Sequence, residues 1–233
     1  MRLRASRPVQ RLLSPQIRGD SVLEPALEAA VRVSSPRIAV VYYSATGNVA
    51  SMARSLASGA AEAGAEVIVR RVAETAPAEA IAANPRWQQF IDTASDGIAT
   101  LDDLAWADGL AFGTPTRFGG PASQLKAFLD TTGGLWFSGA LASKACTSFT
   151  TASTAHGGLE STILALNNHF YHWGSIIVPL GYVDPHVARI TGNPYGASWV
   201  SRSGTPPDAA ALEACRLQGL RLAQVAGRLS AHE

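Results

Sequence analysis

Ser44, Thr46 and Asn48, interleaved with Ala45 and Gly47 in the run V-V-Y-Y-S-A-T-G-N-V from Val40 to Val49, bring three polar side chains and a glycine into one short loop. An apolar stretch of strand type ends at Tyr43, and a stretch of helical periodicity follows at Met52, Ala53, Leu56 and Ala60. A strand, a small loop and a helix start in that order aim unpaired backbone N–H groups and the positive end of a helix dipole at one point. That is the chemistry of an anion site that needs no Lys or Arg. The loop has neither the Gly-x-x-x-x-Gly-Lys pattern of nucleoside triphosphatases nor the Gly-x-Gly-x-x-Gly pattern of dinucleotide folds. Hydroxyls plus backbone suit a single phosphate monoester. The competing reading is a hydrophilic strand-to-helix turn with Asn48 as the helix cap.

Two further loops share this small, hydroxyl-rich character: Pro115 to Gly120, with Thr116, Arg117, Phe118 and Gly119, and Thr150 to Gly158, with Thr151, Ala152, Ser153, Thr154, Ala155, His156 and Gly157. Trp136 is flanked by Gly133, Gly134 and Gly139, so it has no local core to fill and suits a pocket or an interface. His156 and His172 are candidate functional histidines, with a satisfied structural histidine as the alternative for each. Cys146 and Cys215 stand far apart with no Cys or His at metal-ligand spacing, which indicates neither a disulfide framework nor a metal site.

The elements that must hold these loops alternate. Strands are expected at Ile38 to Tyr43, Glu66 to Val72, Asp108 to Thr114, Ala145 to Phe149 and Ser175 to Leu180. Helices are expected at Gly47 to Ala63, Pro121 to Leu129, Leu159 to Trp173 and Asp208 to Leu229, and Thr75 to Thr100 is mixed and polar, with short helical turns. Strands separated by helices imply a parallel sheet covered on both faces, with ligands beyond the carboxyl ends of the strands. All three loops follow such ends, which points to one shared pocket.

The chain has 233 residues, 47% apolar and 16% charged, enough for one well-filled domain. Its formal net charge of +1 gives no electrostatic case for nucleic acid. No apolar run reaches the roughly 18 residues of a membrane span. Residues 1–36 form a separate basic arm: Arg2, Arg4, Arg7, Arg11 and Arg18 precede the first acid, Asp20, and Leu23 to Val33 suits a short amphipathic helix. An organelle transit peptide, an over-called start codon and a flexible arm all fit that composition. The cysteine usage fits a reducing cytoplasm.

Ser44-Ala45-Thr46-Gly47-Asn48 resembles the flavodoxin phosphate loop. Gly113-Thr-Pro-Thr-Arg-Phe-Gly119 and Thr132-Gly-Gly-Leu-Trp-Phe-Ser-Gly139 are similar to the most distinctive motifs of the WrbA-type NAD(P)H:quinone oxidoreductases. The resemblance runs from about Arg37 to Leu229. It implies a flavodoxin-like domain over 37–229, an open doubly wound five-stranded parallel sheet of order 2-1-3-4-5. It also implies bound FMN, contacted by Ser44 to Val49, Pro115 to Gly119, Thr151 to Gly157, and His172 or Trp173. Thr46 departs from the common family form, which has Tyr there, and with Trp136 it would line the nicotinamide and quinone cleft.

The activity implied is two-electron reduction of a quinone by NADH or NADPH, ping-pong at one flavin site, in a homotetramer or homodimer. His156 is the candidate proton donor. A one-electron flavodoxin-type carrier and an FMN-binding regulatory protein are the rivals. Carriers tend to be acidic and compact, and this chain is near neutral with added segments at Thr75 to Thr100 and Thr132 to Lys144. A magnesium-dependent receiver is excluded, because no acid ends the first strand.

Overall fold

The computed structural model describes residues 35–182, 185–190 and 192–230. The basic arm expected over 1–36, with its helix at 23–33, lies outside them apart from Ser35 and Pro36.

Strand β1 (Arg37–Tyr42) is buried on both sides beyond its first residue, as a central parallel strand must be. Helix α1 (Asn48–Glu62) carries the chain back to β2 (Glu66–Arg71), which pairs parallel with β1. The polar stretch that follows holds short helices, as expected, and adds an edge strand. It holds α2 (Ala78–Ala82), α3 (Pro85–Thr93) and a two-residue edge strand β3 (Gly97–Ile98) beside β2. Helix α4 (Leu101–Trp106) begins with a capping box in which Thr100 and Asp103 satisfy each other's backbone N–H groups.

Strand β4 (Gly109–Arg117) pairs with the other side of β1 and runs three residues past its expected end. It folds back on β5 (Gly120–Pro121) through Phe118 and Gly119, both at positive φ, 51° and 80°. Two positive-φ residues between antiparallel partners make a tight hairpin turn whose twist matches its strands. Pro121, expected to start a helix, therefore sits in a strand, and α5 (Ser123–Asp130) starts later. The glycine-flanked tryptophan stretch is a short helix, α6 (Gly133–Phe137), rather than a loop.

Strand β6 (Ala145–Ala152) is fully buried and pairs with β4, and α7 (Leu159–Trp173) follows with the expected bounds. Of the expected fifth strand, Ser175 to Leu180, only β7 (Ile176–Ile177) forms, paired with the start of β6. An unexpected strand, β8 (Ser198–Val200), pairs with the end of β6 after a segment containing α8 (Pro185–Ile190). Helix α9 (Ala209–Ser230) closes the chain.

The sheet thus has eight strands instead of five, in the order β3-β2-β1-β4-β6-β7, with β5 and β8 off that path. The short edge strands were missed because two- and three-residue strands have no periodicity to detect. The alternation of β1 divides the core: Ile38, Val40 and Tyr42 pack with α1 and α9, and Ala39, Val41 and Tyr43 pack with α4, α5 and α7. This is a flavodoxin-like α/β fold. Among the described residues, no helix is long and apolar enough to cross a membrane.

Candidate functional site

Strands β1, β4 and β6 are parallel and in register, Tyr42 beside Gly113 and Gly113 beside Phe149, so their carboxyl ends reach the same edge. A cavity of about 570 Å³ opens there. Ser44, Ala45, Thr46, Asn48 and Val49 line it from the first loop, Pro115, Thr116 and Arg117 from β4, and Thr151, Ala152 and Ser153 from the end of β6.

The first loop is preformed. Ser44 is buried, and its Oγ accepts the Gly47 N–H at 3.0 Å, which leaves the hydroxyl proton to donate. Gly47 takes φ of 92° and is the N-cap of α1, with no side chain capping the helix. Asn48 is not the cap, because its amide donates to the Thr205 carbonyl at 3.0 Å. By contrast, α3 and α4 are capped by Asn84 and Thr100. The first-turn N–H groups of α1 thus face the cavity without a side-chain partner, the state in which a helix start takes an anion.

Threonine hydroxyls lock the other two loops together. Thr150 Oγ1 donates to the Thr114 carbonyl at 2.7 Å, and Thr114 Oγ1 accepts the Ala122 N–H. Thr162 Oγ1, on α7, lies 2.7 Å from Thr116 Oγ1, which reaches the Gly157 carbonyl at 3.3 Å. At Gly158, φ is 99° and an added Cβ would come within 2.6 Å of Gly119 Cα, so the two loops touch backbone to backbone. Arg117 is exposed, and its guanidinium folds onto the Thr116 carbonyl at 3.0 Å, with no ion pair among the described residues.

Several expected residues lie elsewhere. Phe118 is fully exposed at the hairpin tip and lines a neighbouring cleft with Tyr43, Trp87 and Lys126, not the cavity wall assigned to it. Gly119, Thr154, Ala155, His156 and Gly157 flank the cavity without lining it, and His156 is exposed. His172 and Trp173 lie farthest from this cavity. Helix α7 leaves the cavity edge and runs 15 residues, about 22 Å at 1.5 Å per residue. It ends where the Gly174 carbonyl meets the Ser143 N–H, before the start of β6. Trp173 is buried against Phe112 and Phe170. With His172, Trp136 and His169 it also lines a separate hollow of about 330 Å³. One chain therefore does not bring Trp136, His172 or Trp173 to its own cavity.

Sequence reasoning missed two contributors. From α3 come Asn84, Arg86 and Trp87, and from the strap after β8 come Ser201, Ser203 and Gly204. Asn84-Pro85 is a readable helix start, but nothing in the sequence says which cavity that helix faces. Behind this wall lies Glu74. Its carboxylate accepts from Tyr43 Oη and Trp87 Nε1, both at 2.9 Å, from Gln124 Nε2 at 2.7 Å, and from the N–H groups of Thr75 and Ala76. Burial alone would raise this carboxyl, but bonds from Ala76, Gln124, Tyr43 and Trp87 hold it below the usual carboxylate value. Burial, then the bond to Glu74, pushes the Tyr43 phenol well above its ordinary value, so it stays a neutral donor.

A phosphate-sized cradle and a long polar cleft at the carboxyl edge of a doubly wound sheet define the flavodoxin-like class of FMN proteins. A model of the NADPH-dependent FMN reductase family matches residues 35–187. The Deinococcus radiodurans protein named NAD(P)H dehydrogenase (quinone) is 44% identical over 171 residues, covering 73% of this chain and 85% of its own. The Geotalea uraniireducens protein of the same name is 41% identical over 201 residues, covering 83% and 99%. Among solved structures, a flavodoxin, WrbA-like protein from Agrobacterium tumefaciens matches with a TM-score of 0.61 at 26% identity, covering 83% of this chain and 99% of that one. The chain belongs to the NADPH-dependent FMN reductase family, among its WrbA-type NAD(P)H:quinone oxidoreductases. FMN is the cofactor that this membership implies.

Proposed function

We propose that this protein reduces quinones by two electrons at a bound FMN, with NADH or NADPH as donor, in ping-pong exchange at one site. The observation that carries the reading is the cavity itself, bounded by an uncapped helix start and two hydroxyl-locked loops at one sheet edge. The donor set fits FMN: Ser44, Thr46 and the start of α1 would hold the phosphate, and Thr116, Thr151 and Ser153 would meet the polar chain and ring edge. The flavin supplies the redox chemistry, and the protein supplies orientation and exclusion of water. Arg117, at the cavity rim, would favour negative charge on a reduced ring.

Thr46 faces the same cavity, and Trp136 would complete the quinone and nicotinamide cleft from a neighbouring subunit. Its half-exposed ring and the neighbouring exposed Phe137 suit contact between copies in a homotetramer or homodimer. Two buried free thiols, Cys146 held up at about 12 by burial, suit a reducing cytoplasm.

The deciding experiment is a visible spectrum of purified protein followed by NADH- and NADPH-dependent reduction of benzoquinone. Flavin bands with steady turnover are expected. Flavin bands without turnover with either nicotinamide would instead favour a one-electron carrier or an FMN-binding regulatory protein.

A further inference from the structure

The phosphate cradle was read as an anion site built without a cation, yet a guanidinium stands beside it. Arg86 lines the cavity from α3, and two independent contacts fix its position. From one side, Phe90, one helical turn later on the same face of α3, packs on the cradle: a Cβ on Gly47 would lie 3.4 Å from Phe90 Cδ2. From the other, Arg86 Nη1 donates to the carbonyls of Ser203 and Gly204 at 3.1 and 3.0 Å, and the next residue's carbonyl, Thr205, takes the Asn48 amide. Arg86 is thus held between the cradle glycine's neighbour and the cradle asparagine's partner.

Gly204 is needed for this approach. Its φ is 89°, and an added Cβ would overlap Arg86 Nη1. Arg202 and Ser203 also take positive φ, 31° and 49°, so the strap turns its carbonyls towards α3 through three consecutive left-handed residues. Gly204 suits that conformation, and the Thr205 N–H and hydroxyl, both donating to the Arg202 carbonyl at 3.1 Å, close the turn. The two carbonyls engage one nitrogen of a group with five N–H donors, and the planar fork suits a phosphate.

We infer that Arg86 is a direct ligand of the FMN phosphate, clamped over the Ser44–Asn48 cradle by the Ser203–Gly204 strap. This rests on the flavin reading above. A phosphate monoester carries nearly two negative charges at neutral pH, and the helix start supplies only about half a positive charge. A guanidinium covers part of the remainder and gives flavin binding a salt dependence that hydroxyls and backbone would not.

The test compares FMN with riboflavin, which has the same ring and ribityl chain but no phosphate. Apoprotein is titrated with each by fluorescence quenching, at low and high salt, for wild type, Arg86→Met and Arg86→Lys. In Arg86→Met, FMN affinity should fall at least about tenfold, in line with the loss of a charge-assisted hydrogen bond, while riboflavin affinity stays within about twofold. Arg86→Lys should recover part of the loss, and the salt dependence of FMN binding should be weaker in Arg86→Met than in wild type. Unchanged FMN affinity in Arg86→Met would overturn the assignment. So would an equal loss for both flavins, which would make Arg86 a strap anchor only. Wild type binding neither flavin would overturn the flavoprotein reading itself, and this one with it.

Discussion

The cradle edge and the Trp136–His172 hollow are built from motifs of equal sequence specificity, yet they are organised in opposite ways. At the cradle edge, three strands deliver three loops to one place, and backbone contacts and threonine hydroxyls lock those loops to one another. The hollow lies at the far end of α7, and its aromatic residues are exposed at the surface or turned into the core. His169 there carries a buried Nδ1 with no partner among the described residues, and burial lowers its pKa. A site complete within one chain needs no second copy. A hollow about one helix length away would meet a cofactor held at the cradle only across a contact between copies, as proposed above.

The sharpest way to break this contrast is to spoil the cradle edge alone. Gly158→Val should drive its side chain into Gly119 from a left-handed backbone and lower FMN affinity by roughly 100-fold. Light scattering should show the assembly unchanged; a loss of assembly would mean that the two regions are coupled. At the other end, Trp136→Ala should lower quinone turnover about tenfold and leave FMN affinity within about twofold. Mixing the two variants during refolding sharpens the point: if each cleft is shared between subunits, the mixture should turn over faster than either parent. No recovery would mean that each chain serves itself.

Glu74→Gln probes the wall behind the cradle. One amide N–H₂ would face Tyr43, whose hydroxyl can turn to accept, and Trp87, whose indole N–H cannot. Unpinning that donor should destabilise the fold by about 1 kcal/mol and weaken FMN only a few-fold, as read by thermal melts and titration. The pH dependence follows from the lowered Glu74 carboxyl. Its contribution is present above the unfolded value near 4.3 and is lost as pH falls through the lower folded value. Wild type should therefore lose its advantage over Glu74→Gln in melts below about pH 4; a constant difference would mean that the carboxylate is not the group at work. The smallest effect is expected for His156→Ala. His156 is exposed and does not line the cavity, so turnover should stay within about twofold.

The cradle was legible in the sequence because strand, loop and helix start are contiguous there, and local order fixes what Ser44 to Val49 can do. The longer strands and α7 were legible for a related reason, since periodicity over many residues survives tertiary context. The edge beside β6 was not, because β7 and β8 exist only through their pairing with β6. The roles of Arg86 and Trp87, in the stretch expected as short helical turns, and of Glu74 just before it were not, because their partners lie far along the chain in Ser203, Gly204, Tyr43 and Gln124.

By itself, then, the sequence determined the strand–loop–helix order around Ser44 to Val49, the alternating α/β class and the family motifs. The tertiary structure decided which of those motifs meet. It joined Thr116 to Gly157, set α3 and the strap over the cradle, and separated Trp136 and His172 from it. The physical reason is direction. A parallel strand returns every loop to one edge, whereas a helix following it carries its last residues to the other, whatever their motif suggests.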